Sequence, residues 1–414
     1  MGRGCKAEGF GRPLQLAASN RSRRRIYGPP LEAQFYARRM RVWERFYVLV
    51  WLCWFMRFRA LLESFKEYAW EPSDDEIAAS VGLEVCRIRR FDLNTSPYRP
   101  IGWLRKLSGV LEGIDVNRYP DTSYLSLRRG LSEYLSVGEG CFVISNGGDE
   151  AFDIISKAFL DVGSEVVVSS PSYSMFRIVS ELMGAKVVYA QRKEDFADDV
   201  DVLIRAVNDR TRLIFLCNPN NPTGNAVKES DLLRILNECD VGVVVDEAYQ
   251  EYGGESFVKL TERFSNLMVV RTFSKAFGLA GARLGYIVAC EETTRLLNKV
   301  RPPNSVDVIT LKLAELALAD VEWVRLKVRD TLAERDRLIS EMSKMRGVRV
   351  YPSAANFFLV EFLEKDRETI YQELLKRGFV LRRLDDPVLR RCLRISVGLP
   401  EDNDALLDTL REVL

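Results

Sequence analysis

The chain has 414 residues, more than one hydrophobic core normally supports, so two lobes are expected. With 47% hydrophobic and 29% charged residues and a net charge of +1, it reads as an ordinary globular protein and gives no electrostatic argument for a nucleic-acid partner. There are 0 histidines, which excludes imidazole catalysis and histidine metal sites, and the 8 cysteines form no Cys-x-x-Cys pair, which argues against a metal and for a reducing cytoplasm.

Residues 1–58 differ from the rest. They carry the basic runs "RSRRR" and "RRMR", then the apolar "FYVLVWLCWFM" from Phe46 to Met56. That run is shorter than the roughly 20 apolar residues needed to cross a bilayer. It also shows no clean helical stripe for an interfacial anchor. No membrane association is therefore expected, and a translation start near Met40 or Met56 is favoured.

Beyond Leu61, short β-branched runs alternate with helical patterns: "CFVIS" at 141, "EVVVS" at 165, "KVVYA" at 186, "RLIFLC" at 212, "VGVVV" at 241, "LMVV" at 267 and "GYIVA" at 285. Apolar strands alternating with helices predict a doubly wound, mostly parallel, seven-stranded sheet over residues 116–304. Residues 59–115 and 305–414 form a smaller α+β lobe built from both chain ends. It contains a long helical stretch from Leu311 to Met345 and strand-like segments in "VRVYPSAANFFLVEF" and "CLRISVG".

In open parallel sheets, ligands sit beyond the carboxyl ends of the strands. The segments found there are "NGGDE", "SPSY", "NPNNPTG", "DEAY" and "RTFSK", and they should converge on one site. "SNGGDE" turns a strand into a helix and offers backbone N–H groups to an anion, with an N-cap at Asp149 as the structural alternative. Thr272, Ser274 and Arg283 add two hydroxyls and a guanidinium, a phosphate cradle without Walker spacing. Asp246 ends a hydrophobic strand and needs a cation or donor there. Lys275 and Arg283 have no acid beside them in "RTFSKAFGLAGARLG", which leaves their charge to be balanced by a ligand.

"NPNNPTG", "DEAY" and "SKAFGLAGARLGY" in this order resemble the fold-type I pyridoxal-phosphate aminotransferases, and within them the histidinol-phosphate branch. The similarity runs from about Leu61 to Leu414. It implies that Lys275 forms the Schiff base with pyridoxal 5′-phosphate and that Asp246 keeps the pyridine nitrogen protonated. Tyr249 and Asn221 would bond the phenolic oxygen, and Tyr173 would stack on the ring. Gly148, Asp149, Thr272, Ser274 and Arg283 would hold the phosphate. Tyr119 of "NRYPD" would reach in from a second subunit, which implies a homodimer with shared sites. For the substrates, an amino donor and a 2-oxo acid, the resemblance implies Arg394 of "CLRISVG", Arg382 of "GFVLRR" and Tyr98 of "LNTSPYRP". Arg382 reads equally as a surface charge. Asn94-Thr95-Ser96 departs from the branch's usual Asn-Glu-Asn. The implied reaction is transfer of the amino group of histidinol phosphate to 2-oxoglutarate in histidine biosynthesis. A broad aromatic aminotransferase, a threonine-phosphate decarboxylase and an aminotransferase-like transcription regulator are the alternatives.

Overall fold

A computed structural model describes residues 58–414, so the expectations for the basic and apolar N-terminal runs fall outside the described residues. Residues 58–64 hold one 3-10 turn, Ala60–Glu63. Residues 65–414 form one compact unit containing two sheets.

The larger sheet has seven strands: β2 (Phe142–Ser145), β3 (Glu165–Ser170), β4 (Lys186–Gln191), β5 (Thr211–Cys217), β6 (Gly242–Asp246), β7 (Leu267–Thr272) and β8 (Gly285–Ala289), in the order β2-β8-β7-β6-β5-β3-β4. All seven coincide with the β-branched runs read from the sequence. Pairings from β4 through β3, β5 and β6 to β7 are parallel, whereas β8 is antiparallel to both its neighbours. The central strands are buried on both faces, with Val243, Val244 and Val245 fully inaccessible, as helices on each side of a parallel sheet require.

The smaller sheet has five strands: β1 (Arg89–Phe91), β9 (Val348–Val350), β10 (Phe357–Phe362), β11 (Phe379–Arg383) and β12 (Cys392–Ser396), in the order β1-β11-β12-β10-β9. "VRVYPSAANFFLVEF" is an antiparallel pair, β9 and β10, because the chain turns at Pro352 and the 353–356 segment that follows it. The long helical stretch is two helices, Val308–Leu318 and Val321–Ser343. The break falls at Asp320, whose carboxylate accepts a hydrogen bond from Trp103 Nε1 at 2.9 Å. A buried indole N–H must find an acceptor, and Asp320 supplies it. Most important for the site, β11 and β12 pair Arg382 directly opposite Arg394.

Candidate active site

A cavity of about 790 Å³ opens where the carboxyl ends of β3, β5, β6 and β7 meet residues of β11 and β12. It is lined by Gly148, Asp149, Tyr173, Asn221, Asp246, Tyr249, Thr272, Ser274, Lys275, Arg283, Arg382 and Arg394, twelve of the fourteen residues singled out in the sequence. The other two lie elsewhere. Tyr98 does not line it, and its ring lies under Lys327 Nζ at 4.6 Å. Tyr119 is 86% exposed.

Lys275 follows β7. Its Nζ donates to the Leu93 carbonyl at 3.2 Å and lies 5.6 Å from the Tyr249 ring centroid. Burial, reinforced by the nearby Arg394, brings the ammonium down to about 8, so the neutral, nucleophilic amine is accessible near neutrality. Asp246, at the end of β6, is 4% exposed. Its carboxylate accepts from the Ala248 N–H at 3.0 Å and lies 3.6 Å from Cys217 Sγ. Burial raises it to about 7, far above an ordinary aspartate, which leaves an acid in need of a cationic donor.

Tyr249 is held by Asn94, whose Nδ2 donates to its hydroxyl at 3.1 Å. Asn94 is itself locked to β12, since its N–H donates to Ser396 Oγ at 3.0 Å and its Oδ1 accepts from the same hydroxyl at 2.8 Å. It adopts φ +54°, a left-handed conformation that asparagine tolerates better than most residues. Asn94, the one position of Asn94-Thr95-Ser96 that keeps the branch's pattern, thus positions a tyrosine, a role the sequence reading missed.

The helix Gly147–Phe159, here α1, begins at the cavity wall with its N-cap at Asn146, not Asp149. Asp149 sits in its first turn and accepts from the Tyr173 hydroxyl at 2.9 Å. It also pairs with Arg283 Nη2 at 3.0 Å, so Arg283 does have an acid partner, 134 positions away in sequence. With both side chains close to half exposed, that pair contributes little, about 0–1 kcal/mol. Gly147 adopts φ +79°, a left-handed conformation that favours glycine over residues with a Cβ. Thr272 donates to the Leu284 carbonyl at 2.9 Å and accepts from the Ser274 N–H at 3.1 Å. Free N–H groups of a helix's first turn, two hydroxyls and a weakly engaged arginine together form an anion cradle.

Arg394 is 6% exposed. Its Nη1 donates to Asn221 Oδ1 at 2.6 Å, its Nη2 donates to the Asp92 carbonyl, and its Nε has no partner. Among the described residues, no carboxylate lies within ion-pair distance of it. Arg382 stands opposite on β11 and is paired with Glu71. Glu71 and Tyr68, also in the cavity lining, carried no signal in the sequence because both belong to a segment far from the strand ends.

A buried primary amine lowered toward neutrality, a carboxyl awaiting a cationic donor, an anion cradle and a buried arginine without a counter-ion define a site for anionic, nitrogen-containing ligands. Comparison with known proteins agrees. The family model for class I and II aminotransferases matches residues 91–410. The chain is 38% identical over 328 residues to the histidinol-phosphate aminotransferase of Thermoanaerobacter pseudethanolicus, covering 78% of this chain and 93% of that one. It is 34% identical over 364 residues to the enzyme of that name from Methanocaldococcus jannaschii, covering 86% and 97%. Among solved structures, histidinol-phosphate aminotransferase from Sinorhizobium meliloti in complex with pyridoxal-5′-phosphate superposes with a TM-score of 0.79 at 26% identity, covering 87% of this chain and 98% of that one. The chain belongs to the class I and II aminotransferase family.

Proposed function

We propose that this protein is a histidinol-phosphate aminotransferase, transferring the amino group of histidinol phosphate to 2-oxoglutarate in histidine biosynthesis, with pyridoxal 5′-phosphate as cofactor. The observation that carries the substrate reading is the pair Arg382 and Arg394. Two guanidinium groups directly opposed on neighbouring strands repel unless an anion lies between them. Arg394 in addition keeps an unpartnered Nε. A phosphate ester, with two negative charges and several oxygens, suits such a pair better than a lone carboxylate does.

The cofactor's requirements fit the residues present. Asp246 would meet its ring nitrogen, and the raised proton affinity of that buried carboxyl is relieved by a cationic donor. Lys275 would hold its carbonyl carbon, Tyr249 and Asn221 its phenolic oxygen, and Tyr173 its ring face. Thr272, Ser274, Arg283 and the first turn of α1 at Gly148 and Asp149 would hold its phosphate. When bound, the cofactor takes up the substrate's amino group and delocalises the electron pair left at Cα.

Everything else is the work of the side chains. Lys275, neutral above about pH 8, takes the proton from the substrate's Cα, and its burial keeps water from competing for that proton. Arg394 and Arg382 orient the substrate by its phosphate, so that the Cα proton is presented to Lys275 Nζ. Tyr249, fixed by Asn94, keeps its hydroxyl in one position throughout.

We further propose that the protein works in the cytoplasm as a homodimer in which Tyr119 completes the partner's site, and that the two sheets mark the two lobes 116–304 and 59–115 with 305–414. The exposure of Tyr119 supports the dimer, and the six described cysteines, none of them in a disulfide, suit a reducing compartment. Among the described residues, no helix is long and apolar enough to cross a membrane. The deciding test is steady-state kcat/KM of the holoenzyme with histidinol phosphate, phenylalanine and threonine phosphate. A preference for histidinol phosphate of at least tenfold is expected. Equal values, or carbon dioxide release from threonine phosphate, would overturn the assignment.

A further inference from the structure

Residues 65–73, ahead of the helix Asp74–Val81, form a strap with no helix or strand of its own. It is pinned at both ends. Arg177 Nη2 donates to the Lys66 carbonyl at 2.8 Å and its guanidinium lies 5.8 Å from the Phe65 ring centroid. At the other end Ser73 and Glu76 cap the following helix reciprocally, with the Ser73 N–H donating to Glu76 Oε2 at 2.8 Å and Ser73 Oγ accepting from the Glu76 N–H at 3.2 Å. Between these anchors, Tyr68 and Glu71 face into the cavity that contains Lys275. The Tyr68 hydroxyl donates to Glu71 Oε1 at 3.0 Å, and the same oxygen is ion-paired with Arg382 Nη1. Both side chains of that pair are 24% exposed, so the bond is neither sealed nor freely solvated.

We propose that Glu71 is a built-in competitor for the substrate's anion: its carboxylate occupies Arg382, and an incoming dianionic phosphate ester must displace it to engage the arginine pair. This inference rests on the reading of Arg382 as a substrate-binding residue. The physical argument is one of exchange. Arg382 and Arg394 stand opposite each other, and Glu71 supplies one negative charge to the pair. A phosphate supplies two charges and enough oxygens to serve Arg394 as well as Arg382, so it gains more than it displaces. A singly charged carboxylate gains little over the Glu71 it would replace. Glu71 therefore raises the apparent dissociation constant of every anion that needs Arg382, by the factor by which it depletes the unpaired state. That factor is the same for every such anion, so only those that bind the arginine pair tightly, as a dianionic phosphate ester does, still occupy it at low concentration.

The test uses the pyridoxal-phosphate holoenzyme, with two readouts: steady-state kinetics with histidinol phosphate, and competitive inhibition by inorganic phosphate. Glu71→Gln keeps the side chain's size and an acceptor for Tyr68. It should lower KM for histidinol phosphate and the inhibition constant of phosphate each by roughly fivefold, the scale of a partly exposed ion pair, while kcat stays within about twofold. In an Arg382→Ala background the same substitution should change neither constant, because the pair it breaks is already gone. If Arg382→Ala raises KM but Glu71→Gln leaves KM unchanged or raises it, the competition is wrong while the role of Arg382 stands. If Arg382→Ala itself leaves KM unchanged, the reading of Arg382 fails, and this inference with it.

Discussion

Arg271 and Arg394 are buried to nearly the same degree, at 2% and 6% exposure, yet they are neutralised in opposite ways. Arg271, on β7, has two carboxylates. Its Nη1 lies 3.3 Å from Glu247 Oε2 and its Nη2 lies 2.5 Å from Glu251 Oε1, with Gln250 Oε1 accepting from Nη2 at 2.9 Å. Glu247 is in turn tied down by the Phe257 N–H at 2.6 Å and the Ser256 hydroxyl at 2.9 Å. Arg394 has only neutral acceptors, Asn221 and the Asp92 carbonyl. A buried charge is tolerated only when paired or otherwise compensated. Both arginines leave their Nε without a partner and both line the cavity, so what separates the clusters is charge: the first is neutralised within the chain, hence closed, and is structural. The second, with Lys275 and Asp246 beside it, is open, and its compensation must come from bound molecules.

If that distinction holds, substitutions in the two clusters should separate stability from activity. Lys275→Ala, in the open cluster, should reduce kcat by roughly 10³–10⁴-fold. The melting temperature of the apo protein should stay unchanged or rise, since a buried amine is lost. The wild-type apo protein should capture pyridoxal phosphate faster with rising pH up to about 8 and at a constant rate above it, as the amine of Lys275 becomes neutral. A pH-independent capture rate would contradict that assignment. Arg271→Met, in the closed cluster, should cost about 3–5 kcal/mol in denaturant unfolding, because Glu247 and Glu251 are left as buried, unpaired acids. The molecules that remain folded should keep kcat within a few-fold.

Asp246→Asn sharpens the comparison through pH. Burial holds Asp246 near pH 7 in the fold, against about 3.9 in an unfolded chain. The folded apo protein therefore keeps a proton that the unfolded chain releases. The stability this contributes is fully present below about pH 4 and is lost as pH rises through 7. The apo variant should match the wild type near pH 4 and melt on the order of 5 °C above it at pH 8. Its affinity for the cofactor should fall. A melting temperature equal to that of the wild type at both pH values would refute the buried-acid account.

The open cluster was the more legible of the two in the sequence. Asn221, Asp246, Tyr249 and Lys275 each follow a strand whose apolar run is unmistakable, and a parallel sheet brings the ends of its strands together by topology alone. The closed cluster had no such signature: Arg271 reads as one more strand residue until the chain after β6 folds back across it. The same reason hid Asn94 behind Tyr249, Asp149 beside Arg283 and Glu71 on Arg382. Each is a contact between segments more than 130 positions apart, made by side chains whose local surroundings are unremarkable. Periodicity likewise merged the helices Val308–Leu318 and Val321–Ser343, because the apolar pattern continues across Ala319 and Asp320. At the break Asp320 accepts a hydrogen bond from Trp103, 217 positions away, a contact no local pattern reveals.

The central claim is that the counter-ion of Arg394 is the substrate's phosphate. It is tested most directly by comparing kcat/KM for histidinol phosphate and for histidinol in the wild type and in Arg394→Gln. The wild type should prefer the phosphorylated amine strongly, and the variant should lose roughly 10–100-fold of that preference, the range of a charge-assisted hydrogen bond, through a loss confined to the phosphorylated substrate. An unchanged ratio in Arg394→Gln would contradict the account.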